Sequence, residues 1–114
     1  MNPSSYPDAV DPSLVGTYPA EAGSGGGYVW DEVLEYRVWC HPERGAPDED
    51  DGSDYYFAYA TYAEAAAVSR STPGAEEPVA LIRQVEYIAE YKPGQYEHVE
   101  DMRIAAEMQV RFLI

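Results

Sequence analysis

Residues 33–41 alternate strictly, with Leu34, Tyr36, Val38 and Cys40 interleaved with Glu35, Arg37, Trp39 and His41. Successive side chains of an extended chain point to opposite faces, so this period of two predicts a half-buried strand with one apolar face. Such a strand needs partners, and the following sequence supplies them. Pro42 removes a main-chain donor and ends the strand. Residues 42–53 then read as a loop, punctuated by Gly45, Pro47, an unbroken acidic run at 48–51, and Gly52. Residues 54–60 are compact and aromatic, placing Tyr55, Phe57 and Tyr59 on one face of a second strand in hairpin pairing with the first.

Thr61 and Glu64 stand at capping-box spacing, and Ala63, Ala65, Ala66 and Ala67 favour a helix that Pro73-Gly74 must end. A helix this short is marginal alone, so packing must hold it, and its alanines allow close approach to a sheet. Residues 79–88, rich in Val, Leu and Ile, predict a third strand. Lys92-Pro93-Gly94-Gln95 has the chemistry of a type II turn and leads to a short strand at 96–99. Met108, Val110, Phe112 and Ile114 alternate with Gln109 and Arg111, so the chain is expected to finish in a strand. The order β-β-α-β-β-β predicts an α+β fold, a mostly antiparallel sheet of four to five strands with one helix on one face.

Residues 1–27 carry Pro3, Pro7, Pro12 and Pro19 and the run Gly23-Ser24-Gly25-Gly26-Gly27 without apolar periodicity, so they read as a flexible tail preceding a single domain at 28–114. With 114 residues the chain suits one core, and its 11 tyrosines and 2 tryptophans supply the burial that disordered chains lack. It has no apolar stretch of membrane-spanning length and no basic-then-apolar leader, so neither membrane insertion nor secretion is expected. A cytoplasmic setting is the default, and the single Cys40 suits a reducing compartment.

The formal charge of −14 repels phosphate backbones and favours basic partners, which argues against direct nucleic-acid binding. Cys40 and His41, as strand neighbours, face opposite ways and are poorly placed as nucleophile and base; Cys40 falls in the apolar register as a buried thiol. The acidic loop is a poor calcium loop: with Gly52 at the turn position, Pro47 takes the first ligand place and Ala58 the place of the bidentate acid. No cofactor or metal is expected from these spacings. The residues singled out for binding are Trp39, His41, Arg44, Asp48, Asp50 and Asp54, on the polar register and in the acidic loop.

The run 38–58, from Val38-Trp39-Cys40-His41-Pro42 through the acidic loop to Tyr55-Tyr56-Phe57-Ala58, is joined by Thr72-Pro73-Gly74-Ala75-Glu76-Glu77-Pro78 and Glu86-Tyr87-Ile88. Together they resemble a small bacterial domain that occurs alone or appended to acetyltransferases of the GNAT superfamily. The resemblance covers residue 33 to the C-terminus and implies association with such an enzyme; the chain has no glycine-bearing pyrophosphate loop of its own. The expected function is therefore a non-catalytic binding or accessory module for a basic protein partner or an acetyltransferase. Two alternatives stand beside it: a small enzyme or metal-dependent ligand site around His41 and Arg44, and an acidic nucleic-acid mimic that occupies a basic DNA-binding protein.

Overall fold

A computed structural model describes residues 6–20, 29–49, 51–99 and 104–113. Strands β1 (Val29–Cys40), β2 (Tyr55–Tyr59), β3 (Val79–Lys92), β4 (Gln95–Val99) and β5 (Ile104–Gln109) form one antiparallel sheet with a single helix, α1 (Tyr62–Ser71), so the class is α+β. β1 lies between β2 and β3, and the expected hairpin joins β1 and β2 in the register Tyr36↔Tyr59, Val38↔Phe57 and Cys40↔Tyr55. β4 and β5 run back along β3, pairing first with its second half and then with its first half. Gly94, at φ 81°, takes the left-handed position that a type II turn requires between β3 and β4.

The helix starts where its capping signal stands. The Thr61 hydroxyl accepts from the Glu64 amide at 3.2 Å and donates to the Glu64 carboxylate at 2.9 Å. Ala65 and Ala66 are buried, and the small side chains let α1 lie over β1 and β2. Between helix and sheet sit Val33, Tyr36, Val38, Cys40, Ala80, Ile82 and Ala106.

Two expectations about the strands need correction. The first concerns β1, which is buried on both faces: Glu35 and Arg37 are as inaccessible as Tyr36 and Val38. A register shift between Val33 and Glu35 also breaks the strict alternation, so that Val33 and Tyr36 share the core face. The second concerns the C-terminus. β5 stops at Gln109, whose partner Val79 is the first residue of β3, and beyond it the chain turns into a 3-10 segment, Val110–Leu113. A strand there would have no ladder to join, and the turn instead tucks Leu113 into the core. Ile114, the last residue of the predicted alternation, lies outside the described residues.

The cover over the second face of β1 comes from the N-terminal segment that the sequence assigns to a tail. Tyr6 packs edge-on to Tyr62 at 4.7 Å on the helix side, and the buried Tyr36 hydroxyl donates to the Pro7 carbonyl. Ala9 donates to the carbonyl of Ala60, just past β2, at 2.7 Å, and Val10 to that of Val33 at 2.8 Å, on the stretch of β1 that the short β2 does not reach. The segment then crosses to the other face. There the Gly16 amide donates to Glu35 at 2.8 Å, and the Tyr18 carbonyl accepts from Tyr56 at 3.2 Å. The carbonyls of Pro19 and Ala20 accept from Arg37 at 2.6 and 3.1 Å. Residues 1–5 and 21–28, including the glycine run, lie outside the described residues. The amides of Ala9 and Val10 are expected to exchange with solvent far more slowly than those of an unstructured tail, since both complete sheet-like hydrogen bonds. Hydrogen exchange read by NMR checks this, and exchange at the random-coil rate would contradict the docked arrangement.

Candidate functional site at the end of strand β1

β1 ends where three separate segments converge. Pro42 opens a 3-10 turn, Pro42–Arg44, and the chain curls back so that the Ala46 amide donates to the His41 carbonyl at 3.2 Å. The segment after α1 runs antiparallel to the strand end: the His41 amide donates to Gly74 at 3.0 Å, the Glu76 amide donates to Trp39 at 2.8 Å, and Cys40 and Ala75 form an isolated bridge. β2 begins on the opposite side, directly after Asp54.

This backbone arrangement places the His41 ring between two carboxylates. Its Nδ1 lies 2.9 Å from Asp54 and its Nε2 3.2 Å from Glu76, while Arg44 reaches the other Glu76 oxygen at 3.8 Å. Both ring nitrogens are shielded from solvent, yet neither makes a well-directed hydrogen bond, so the contacts hold by charge rather than by alignment. Glu43, from the 3-10 turn, stands close enough that one donor atom each of His41, Glu43 and Asp54 all fall within 4.8 Å of one another. Asp54 first, and then Glu76, hold the imidazolium and raise the His41 pKa above its usual value against a smaller opposing effect of burial.

A raised histidine pKa favours the folded state most when the ring is charged in both states. The contribution of His41 should therefore be complete below the unfolded value near 6.5 and be lost as pH rises through the higher folded value. Urea unfolding of chelator-treated protein across that window should show stability declining with rising pH, and the decline attributable to this group should vanish in His41→Asn. An unchanged pH slope in the variant would contradict the pairing.

Trp39 lies two residues before His41 and is half-buried. Its indole N–H donates to Glu107 at 2.8 Å, sharing that carboxylate with Arg37, and its ring sits 4.8 Å from that of Tyr56. Trp39, Tyr55, Tyr56, Asp54 and Ala20 line a shallow pocket of about 280 Å³. The Arg37 guanidinium already rests over the Tyr56 ring at 4.5 Å, so a cation on an aromatic face is part of this corner of the fold.

Of the residues singled out in the sequence, Trp39, His41 and Asp54 come together, and Arg44 joins them through Glu76. Asp48 stands apart from them, because its carboxylate accepts from the Gly52 amide at 2.7 Å and closes the acidic loop. Asp50 lies outside the described residues. Cys40 is fully buried in the core, where burial pushes its thiol pKa up and keeps it protonated. Sequence reasoning missed Glu43 and Glu76. Glu76 entered the sequence reading only within the run 72–78 that carries the resemblance, as one of an acid pair shortly after Pro73-Gly74, with no binding role assigned to it.

Among the described residues no helix is long and apolar enough to cross a membrane. No family model, no curated protein and no solved structure matches the chain.

Proposed function

We propose that this domain is a non-catalytic binding module that receives a cationic group of a basic protein partner in the pocket formed by Trp39, Tyr55, Tyr56 and Asp54. The observation that carries this reading is the pairing, in one shallow pocket, of three aromatic rings with an exposed carboxylate. A lysine or arginine side chain placed there gains about 0.5–2 kcal/mol from an aromatic face. The Asp54 carboxylate adds about 0.2–1 kcal/mol at an exposed site. Neither term is large, so specificity requires further contacts around the pocket, while the charge of −14 attracts the partner at a distance. The resemblance to domains joined to GNAT acetyltransferases makes such an enzyme, or a basic substrate presented to it, the first partner to examine.

Titration of the chain with short lysine- and arginine-rich peptides, followed through the Trp39 indole N–H by NMR, tests the pocket directly. A saturable shift is expected, weakened by salt and by Asp54→Asn. Peptide binding that leaves the Trp39 resonance unmoved, with the same affinity in Asp54→Asn, would place recognition elsewhere. Turnover of a small molecule without peptide binding would favour an enzyme. Competition with DNA for a basic DNA-binding protein would favour a nucleic-acid mimic.

A further inference from the structure

We propose that His41, Glu43 and Asp54 form a binding site for a divalent transition-metal ion of the zinc type, with Glu76 orienting the imidazole from its other side. One nitrogen and two carboxylate donors lie within 4.8 Å of one another. Around an ion with bonds of about 2.0–2.2 Å, coordinating atoms are separated by roughly 3–4.3 Å. The set therefore needs only a small inward movement, and both carboxylates are exposed and free to make it.

The histidine is already arranged as a ligand. With Nδ1 facing Asp54 at 2.9 Å and Nε2 facing Glu76 at 3.2 Å, a metal on the Nδ1 side leaves Nε2–H to donate to Glu76. A ligating histidine characteristically donates its second N–H to a carboxylate, which fixes the ring and raises its basicity. The ion would give the solvent-shielded Nδ1, which lacks a directed hydrogen bond, a coordinating partner. It would replace an opposed charge at Nδ1 with a coordinate bond and turn Nε2 into a committed donor.

The backbone sets these groups in advance. Glu43 is fixed by the turn that Pro42 starts, Asp54 by the start of β2, and Glu76 by its amide's bond to Trp39. A mixed imidazole and carboxylate set suits zinc, cobalt or nickel, whereas calcium and magnesium prefer oxygen alone. Three protein donors leave a coordination position for water or a partner's side chain. This site shares Asp54 with the proposed peptide pocket, so a titration with the metal alone, without peptide, reads it separately.

The test is calorimetric titration of the tag-free, chelator-treated full chain with Zn²⁺ alone, paired with imidazole ¹⁵N shifts of His41. One saturable equivalent is expected, with the Nδ1 resonance moved and Nε2 remaining protonated. His41→Asn should abolish that equivalent, Glu43→Gln should weaken it at least tenfold, and Glu76→Gln should weaken it by about tenfold through the second carboxylate. Ca²⁺ and Mg²⁺ should not displace zinc at equal concentration. Glu43 is exposed and unneeded by the core, so its variant keeps the test valid if His41→Asn fails to fold. Absence of a saturable equivalent, or an equivalent indifferent to both Glu43→Gln and the His41 resonance, would overturn the proposal.

Discussion

Replacement of Arg37 by methionine is expected to destabilise the domain by about 3–5 kcal/mol, the range typical of removing one partner from a buried ion pair. Arg37 has no solvent exposure and spreads its donors over four acceptors: Glu35 at 2.6 Å, Glu107 at 3.1 Å, and the carbonyls of Pro19 and Ala20 at 2.6 and 3.1 Å. Methionine fills a similar volume but makes none of these bonds. Glu35, also fully buried, would keep the amide donor from Gly16, and Glu107 would keep the Trp39 indole, but both would lose the guanidinium. Urea unfolding measures the loss. Arg37→Lys separates charge from geometry: an ammonium satisfies Glu35 or the carbonyls but not the whole fork, so it should fall between parent and methionine. Adding Glu35→Leu to Arg37→Met should recover part of the stability, because it removes the stranded charge. A methionine variant within about 1 kcal/mol of the parent would show that this cluster is not what holds residues 16–20 against the sheet.

What the sequence made legible was chemistry acting over a few residues. Thr61 and Glu64, Pro93 and Gly94, and the alternation of Tyr55, Phe57 and Tyr59 each specify a cap, a turn or a face through near neighbours, and the α+β class follows from their order. The burial of Glu35 and Arg37 was not legible. Alternation reports that two sets of side chains face opposite ways, but it is silent about what covers each set. The cover here is held largely by main-chain amides and carbonyls of residues 9–20, which impose no periodicity on the side chains that carry them. The same distinction applies to the site. Trp39, His41 and Asp54 were found because they belong to one hairpin, with Trp39 and His41 two residues apart. Glu76 arrives from the far side of α1, through an isolated bridge between Cys40 and Ala75 that has no strand pattern to announce it.

That bridge depends on Gly74, and Gly74→Ala is expected to cost about 2–5 kcal/mol, combining left-handed strain with backbone overpacking. The residue sits at φ 73°, where a Cβ is disfavoured, and an added Cβ would lie 2.4 Å from the Ala46 nitrogen and 2.8 Å from the His41 oxygen. Both atoms are main chain, so no side-chain rotation relieves the contact. They are also the two ends of the hydrogen bond that folds the chain back after Pro42. To accommodate alanine, either residues 74–76 must withdraw from β1 or the turn at 41–46 must open. Either movement carries Glu76 or Glu43 away from the imidazole. Gly94→Ala supplies the control: Gly94 has nearly the same dihedral, φ 81°, but nothing within 4 Å of its Cβ position, so it should show only the conformational cost of about 1–2 kcal/mol. Unfolding measurements on the two variants isolate the steric part, and the His41 titration reports where it acts, since withdrawal of Glu76 should bring the histidine pKa back toward its ordinary value. Equal losses in the two variants, with the His41 titration unmoved, would mean that the 74–76 segment does not clamp this corner.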